Sequence, residues 1–218
     1  ALIGNGGRII IFNSNSCTSG FGSSKPREDK LLTNQDKERS LYNPQNDIFQ
    51  KLSHQCSEER IVVDMFILAN TQFDFPTISQ ISSLTGGKAT FYPINSSANP
   101  NDYAQKLEKI HYDLVRILTR PNYYDVKFML RNGSGLEVSE ILGQFGRKLG
   151  QGFLLSSMDP DSSFSIGIRV MEAIKEQNIN FQLVCMFIDN FNNRYLRIFN
   201  ISYIVESEIG KVYYYVDV

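Results

Sequence analysis

The sequence predicts two kinds of structure in succession, an α/β unit followed by an antiparallel β-sandwich. The first observation is a strand, helix and strand pattern between Arg60 and Pro93. The second is a change of hydrophobic periodicity after Pro121, from helical spacing to the alternation that is typical of antiparallel strands. We therefore assign residues 1–119 to an α/β domain and residues 120–218 to an incomplete β-sandwich domain.

The α/β unit is clearest in its first strand. Residues 61–68 form a nearly continuous apolar run, as a strand buried on both faces requires, and Asp64 is its only charge. Pro76 fits the first turn of the helix that follows, and Gly86-Gly87 suits a left-handed helix end. Residues 88–94 then alternate as a returning strand, so this stretch predicts a βαβ unit.

Further elements flank this unit. Arg8 to Phe12 predicts a strand, and the polar residues 13–41 predict a long surface loop. Asn43-Pro44 and Asn99-Pro100 each combine a capping residue with proline at the first helical position, so each predicts a helix start.

The sandwich half begins with a strand in which Val126, Phe128 and Leu130 alternate with three other residues. Those three, Lys127, Met129 and Arg131, therefore share the opposite face. Residues 132–135 read Asn-Gly-Ser-Gly, which predicts a hairpin turn with the return beginning at Leu136. Four later segments predict further strands: 164–170, 181–188, 194–204 and 208–218. The apolar run 181–188 is expected to be the central strand, and 208–218 is a β-prone tail.

Composition excludes several classes of function. The formal net charge of −1 and the pI near 6.2 give no basic footprint, so we expect no nucleic-acid partner. No apolar run is long enough for a membrane span. The three cysteines, Cys17, Cys56 and Cys185, lie far apart, which favours a reducing compartment over a disulfide framework or a zinc site.

Residues suited to catalysis are few. The only histidines are His54 and His111, and neither has a partner at catalytic or ligand spacing. The glycines before Arg8 precede a strand instead of following one, and residues 20–25 lack the Gly-Lys-Ser/Thr ending of a phosphate loop. The segment that follows the first predicted strand does not carry the D-x-S-x-S motif of a metal-dependent adhesion domain, so the sequence predicts neither that metal site nor an enzyme.

Several segments, taken in order, resemble the inner-layer proteins of the COPII vesicle coat. The resemblance is to the cargo-adaptor subunit, the Sec twenty-four type, more than to its Sec twenty-three partner, and the T-G-G-x-x-x-F-Y-P piece favours the adaptor. The segments are GGRIIIF, PREDK, NPQNDIFQKLSHQC, RIVVDMFIL, SSLTGGKATFYP, the helix that runs to LTRP, RNGSGLEV and RYLRIFN.

The resemblance implies a fold. Residues 1–119 would be the later half of a von Willebrand A type trunk with its helices, and the remainder would be most of the β-sandwich. We expect a structural zinc upstream of Ala1, no cofactor in this segment, and helical and gelsolin-like domains after Val218. The chain is accordingly expected to be part of a longer protein.

The resemblance also implies a function that is not enzymatic. The family binds sorting signals on cytosolic tails of membrane cargo and SNAREs, and gathers them into vesicles leaving the endoplasmic reticulum. Expected partners are the other inner-coat subunit, as a heterodimer, the coat's small GTPase through that subunit, and an anionic membrane surface. The expected location is cytoplasmic, peripheral on the endoplasmic reticulum membrane and on COPII vesicles.

Four residues are candidates for signal binding. The family's acidic-signal pocket implies a role for Arg131, at the second position of an R-x-R pair, and for Met186, on the strand before an R-R-x-R element. Met129 replaces the first arginine of the pair, and the element is altered to Arg194-Tyr195-Leu196-Arg197. Lys127 and Met129 share a face with Arg131, whose guanidinium can bind a carboxylate in bidentate fashion.

Other interpretations remain. Arg131 would also suit an ordinary surface strand with a local ion pair. Two other functions also fit the sequence. The first is that of the partner subunit, the Sec twenty-three type, which activates the coat's small GTPase by inserting an arginine. The second is an α/β enzyme or a metal-dependent adhesion domain, which would share the first half of the fold.

Overall fold

The computed structural model describes residues 2, 4, 6–25, 36–70, 73–94, 99–144, 146–150 and 152–215; the PREDK segment lies outside them. The first half contains a three-stranded parallel sheet with strand order β1-β2-β3. Its strands and helices, in chain order, are β1 (Gly7–Asn13), α1 (Ile48–Glu58), β2 (Ile61–Ala69), α2 (Phe75–Ile78), α3 (Gln80–Thr85), β3 (Ala89–Pro93) and α4 (Pro100–Thr119).

The central strand β2 is buried on both faces, as its apolar run predicts. On one face Val63 and Met65 pack with Ile81 of α3. On the other, Phe66 packs with Ile117 of α4. Helices therefore cover both sides of the sheet, which confirms the predicted α/β architecture.

The first helix begins later than Asn43-Pro44 predicts. Helix α1 starts at Ile48, and a short 3₁₀ helix over Asp36–Tyr42 precedes the proline. The backbone N–H of Gln45 donates to Thr77 Oγ1 at 2.9 Å, and its side chain donates to the Lys25 carbonyl at 2.7 Å. These tertiary bonds hold the segment in a loop and delay the helix.

The second half is a β-sandwich, again as predicted. One sheet has five strands in the order β10-β9-β4-β7-β6, and the other has two strands, β5 and β8. The strands are β4 (Tyr123–Asn132), β5 (Leu136–Gly143), β6 (Arg147–Leu149), β7 (Gly152–Met158), β8 (Phe164–Val170), β9 (Asn178–Ile188) and β10 (Arg194–Ile204). Strand β9 lies between two neighbours, as its apolar run predicts. The exact boundary between the two domains stays a prediction.

Apolar side chains fill the space between the two sheets. Phe128 of β4, Phe153 of β7 and Phe164 of β8 pack together with ring centroids 4.7–4.8 Å apart. Val126, Leu130, Cys185 and Phe187 complete this side of the five-stranded sheet. The alternate residues of β4, which include Lys127, Met129 and Arg131, consequently face outward.

The hairpin predicted at residues 132–135 does not form. Strand β5 pairs with β8 in the second sheet and makes no ladder with β4. Asn132 Nδ2 donates to the Leu136 carbonyl at 2.6 Å, and the Gly135 carbonyl accepts from Met171 N. The residues of the predicted turn therefore connect β4 in one sheet to β5 in the other.

The predicted C-terminal strand is also wrong. Residues Ile209–Val212 form a short helix, α5, and Tyr213–Tyr215 form a 3₁₀ turn. The N–H groups of Lys211 and Val212 donate to the Glu208 carbonyl, so local bonds satisfy this backbone. Aromatic and β-branched residues favour strands chiefly where a neighbouring strand supplies packing.

The two halves meet at the T-G-G turn. Gly86 ends α3 with a φ of 78° and lies directly against the carbonyl of Ser157 in β7. Nearby, Arg8 donates to buried Asp64 at 2.6 Å and to Asn122 Oδ1 at 2.7 Å. Asp64, the only charge of the apolar run, is therefore a structural residue at this junction.

A loop of the sandwich adds further ion pairs to the junction. Asp161 accepts from Arg116 at 2.7 and 2.9 Å, from Arg120 at 2.7 Å and from Lys88 at 3.3 Å. Arg120 also pairs with Asp159. The hydrogen bond from Arg116 is the main reason that the pKa of Asp161 is lowered from its ordinary value of 3.8, with Lys88 contributing and burial opposing.

Replacement of Asp161 by asparagine is expected to lower the melting temperature by roughly 3 °C near neutral pH. Because folding lowers the Asp161 pKa, the ionised carboxylate stabilises the fold above pH 3.8, and this stabilisation is lost as the pH falls below that value. Thermal unfolding of wild type and Asp161→Asn across the acid range should converge at low pH. Asp102→Asn, which removes one helix-surface ion pair, is the control, and a constant difference at all pH values would contradict the prediction.

Candidate functional site

The four candidate residues lie together on the outward face of the five-stranded sheet. Lys127, Met129 and Arg131 are alternate residues of β4, and Met186 of β9 is the direct partner of Lys127. Strand register extends this arrangement to β10, where Leu196 pairs with Met186. We call the outward surface of β4, β9 and β10 the outer face.

The outer face is divided into two halves by residue type. Its apolar half consists of Met129, Val184, Met186, Leu196 and Ile198, with Lys127 at its margin. Leu196 and Ile198 are 60% and 52% exposed, and Met129 is 44% exposed. The polar half consists of Arg131, Asn180, Gln182, Asn200 and Ser202, which line a shallow groove of about 460 Å³.

The α/β half of the chain covers only the neighbouring part of this sheet. Ser156 of β7 donates to Ser57 of α1 at 3.1 Å, and a Cβ at Gly146 would crowd Leu84 and Ser57. These contacts place α1 and α3 against β7, the strand next to the β6 edge of the sheet. The surfaces of β4, β9 and β10 remain accessible beside it.

Arg131 has most of its hydrogen-bonding capacity available. Its Nη1 donates to Gln182 Oε1 at 3.3 Å, and its side chain is exposed. Within residues 99–144 and the other described ranges, no carboxylate forms an ion pair with it. A guanidinium has five N–H donors, so Arg131 can bind a carboxylate without losing an existing ion pair.

Lys127 is less available than the sequence suggests. Its Nζ lies 3.6 Å from Asp125 Oδ1, and Arg60 approaches the same carboxylate at 3.8 Å. Asp125 has a φ of 49° and adjoins an irregularity in the pairing of β4 with β9. The ammonium of Lys127 is thus directed towards Asp125, at the edge of the outer face that lies next to Arg60.

The two arginines of the altered R-R-x-R element, Arg194 and Arg197, lie on opposite faces of β10. Arg197 lies opposite Cys185 on the inner side, with its guanidinium 5.8 Å from the Phe187 ring centroid. Burial raises the pKa of the Cys185 thiol to about 11, with Arg197 opposing, so this cysteine remains a neutral core residue. Of the two arginines in the element, only Arg194 has the strand parity of the outer face.

The structure adds Gln182 and Asn200, which sequence reasoning missed. Gln182 Nε2 donates to Asn200 Oδ1 at 2.9 Å, and Gln182 also accepts from Arg131. Alternation along 181–188 does place Gln182 on the outer side of β9. However, the register that aligns it with Arg131 is not encoded by any local pattern.

Neither a metal site nor a membrane helix was found in the part of the chain that the structure describes. No group of three or more His, Cys, Asp or Glu side chains there could hold a metal ion. Helices with the length and apolar character to cross a bilayer are likewise missing from those residues. The expectation of no cofactor in this segment and of a zinc upstream of Ala1 stays a prediction.

Comparison with protein families matches both halves of the chain. Residues 1–116 match the Sec23/Sec24 trunk domain, and residues 123–206 match the Sec23/Sec24 beta-sandwich domain. The chain belongs to the Sec23/Sec24 family. The resemblance stated from the sequence segments is therefore confirmed.

Relatives of this Sec23/Sec24 family chain include several protein transport proteins. It is 28% identical to Sec24A of Bos taurus over 98% of its own length and 19% of the relative's. It is 27% identical to Sec24B of Homo sapiens over 98% of its own length and 17% of the relative's. It is 26% identical to SEC24 of Saccharomyces cerevisiae over 97% of its own length and 23% of the relative's. The chain thus spans about a fifth of the length of these relatives.

A solved structure has the same fold. The crystal structure of the human COPII-coat protein Sec24c superimposes with a TM-score of 0.86, at 24% identity, over 95% of this chain and 28% of that one. This match and the two family domains confirm the predicted fold class, a trunk followed by a β-sandwich.

Proposed function

We propose that this chain is part of a COPII coat subunit that selects membrane cargo, and that the outer face binds sorting signals in cytosolic cargo tails. The observation that supports this most is the exposed guanidinium of Arg131 beside an exposed apolar surface on adjacent strands. A carboxylate of the signal would bind Arg131, and an apolar residue of the signal would pack on Met129 and Met186.

Recognition of this kind needs no catalysis. The strands hold Arg131 and Met186 at fixed separation, so a peptide that carries both an acidic and an apolar residue gains two contacts for one ordering cost. A peptide with only one of these residues gains a single contact. The outer face would therefore act as a binding surface and not as an active site.

The remaining partners are proposed on family grounds. The chain would pair with the other inner-coat subunit, contact the coat's small GTPase through it, and touch an anionic membrane at the cytoplasmic side of the endoplasmic reticulum. Of the two subunit types, the Sec24 names of the relatives favour the cargo adaptor over the GTPase-activating Sec23 type. A pull-down that identifies the partner subunit would separate the two.

Replacement of Arg131 by alanine is expected to weaken binding of an acidic cargo-tail peptide about tenfold, because one charge-assisted bidentate contact is lost. Affinity is measured by titrating the labelled peptide into the complete protein. Met129→Arg, which restores the arginine that the family pattern implies, is expected to strengthen binding of the same peptide.

The matched control is Arg169→Ala, because Arg169 is an exposed strand residue in the other sheet. It should leave the affinity within about twofold of wild type. Equal affinity of wild type and Arg131→Ala would refute a role of Arg131 in signal binding.

A further inference from the structure

The side chain of Gln182 links two neighbouring strands of the outer face. Gln182 of β9 pairs directly with Arg131 of β4 on one side and with Asn200 of β10 on the other. Its Oε1 accepts a hydrogen bond from Arg131 Nη1 at 3.3 Å, and its Nε2 donates to Asn200 Oδ1 at 2.9 Å. The amide of Gln182 is therefore held at both ends.

The chemistry of arginine fixes the direction of this amide. A guanidinium only donates hydrogen bonds, so the oxygen of Gln182 must face Arg131 and the NH₂ group must face β10. Rotation of the amide by half a turn would set donor against donor at Arg131 and acceptor against acceptor at Asn200. One arrangement of the amide consequently satisfies both neighbours.

The neutrality of Gln182 matters for the charge of Arg131. A carboxylate at this position would pair with the guanidinium and offset its charge, whereas an amide oxygen accepts a hydrogen bond and carries no net charge. The bond to Gln182 uses one of the five N–H donors of the guanidinium, and a bidentate carboxylate needs two others. Arg131 is thus restrained on the sheet while its charge stays available to a ligand.

This restraint should favour binding. Arginine has a long side chain with many rotamers, and the conformational freedom that it loses on binding weakens the affinity. A side chain that is already held near its bound position loses less. Gln182 is half-buried between β4 and β10, so its own side chain is more confined than that of the exposed Arg131.

We propose that Gln182 is a positioning residue for signal binding, which orients the guanidinium of Arg131 without neutralising it. The inference rests on the proposed function of the outer face and concerns a single carboxylate of the ligand. Gln182 acts through Arg131 and has no need to touch the ligand itself.

A double-mutant cycle between Gln182→Met and Arg131→Ala tests this. Methionine has nearly the length of glutamine, but its thioether is a weak acceptor and no donor. The probe is the labelled peptide Ser-Gly-Leu-Glu-Gly-Ser with both termini blocked, so that it carries one carboxylate, and fluorescence anisotropy measures its affinity for the complete protein. Gln182→Met should weaken binding about threefold. In the Arg131→Ala background the same substitution should change the affinity less than about 1.5-fold, because the residue that it positions has been removed.

Gln182→Glu tests the importance of a neutral partner. Glutamate keeps the shape of glutamine, but its carboxylate would pair with Arg131 and occupy the donors that the peptide needs. Binding should fall about tenfold, whereas Asn190→Asp, which adds a negative charge at the exposed turn between β9 and β10, should change it less than about twofold. Gln177→Met, at an exposed residue just before β9, is the matched control for Gln182→Met and should leave the affinity unchanged.

The outcomes separate this inference from the proposed function. Equal losses from Gln182→Met in the wild-type and Arg131→Ala backgrounds would show that Gln182 does not act through Arg131, and would refute the positioning role while signal binding at Arg131 stands. Unchanged affinity in either Gln182→Met or Gln182→Glu would refute that role as well. If Arg131→Ala itself leaves the affinity unchanged, the proposed function of Arg131 and this inference both fail.

Discussion

Alanine at Gly86 is expected to lower the free energy of unfolding by about 3 kcal/mol. About 1 kcal/mol comes from the left-handed backbone, since φ is 78° at this residue. The remainder, about 2 kcal/mol, comes from overpacking, because a Cβ would overlap the carbonyl of Ser157 and the two halves of the chain would have to separate locally. Equilibrium urea denaturation of wild type and variant measures the difference.

Gly20→Ala provides a control with the same backbone conformation. Gly20 has a φ of 84°, and a Cβ there would meet nothing within 4 Å. Its substitution should cost only the conformational part, about 1 kcal/mol. Equal losses at Gly20 and Gly86 would show that the close approach to Ser157 is not a source of destabilisation.

Removal of the Asp64 carboxylate is expected to be still more damaging, at about 4 kcal/mol for Asp64→Ala. The side chains of Asp64 and Arg8 are 0% and 11% exposed, so the substitution leaves a largely buried guanidinium without a counter-charge. It also removes the acceptor of the Lys88 N–H, which donates to Asp64 Oδ1 at 2.8 Å. The loss is measured by the same denaturation experiment.

Two further variants test this explanation. The double variant Arg8→Met with Asp64→Leu removes both charges and should recover a large part of the loss. Asp47→Ala breaks an exposed ion pair of similar length, 2.8 Å to Lys51, and should cause no measurable change. A double variant as unstable as Asp64→Ala would mean that the loss does not come from the uncompensated charge on Arg8.

The fold could be predicted well where local patterns and burial agree. The run 61–68 and the alternation in β4 each encode the environment of their own strand, and both predictions hold. The helix start at Asn43-Pro44, the hairpin after Asn132 and the C-terminal strand failed for a common reason. In each, a tertiary or local hydrogen bond in the fold outweighs the sequence signal, as Gln45, Gly135 and Glu208 illustrate.

The candidate site could be predicted only in part. The period of a strand places Lys127, Met129 and Arg131 on one face without knowledge of any partner. Which residues lie beside them depends on register between segments far apart in sequence, and this is why Gln182 and Asn200 were missed. The ion pair of Lys127 with Asp125 likewise depends on a backbone irregularity that no motif announces.

The crossing of β5 to the second sheet has a consequence for the order of assembly. Since β4 is not paired with the strand that follows it, both of its neighbours, β7 and β9, come from later parts of the chain. Such non-local pairing carries a loop-closure cost and slows folding. During synthesis the outer face can form only after β10 has emerged from the ribosome, later than every strand and helix of the first half of the chain.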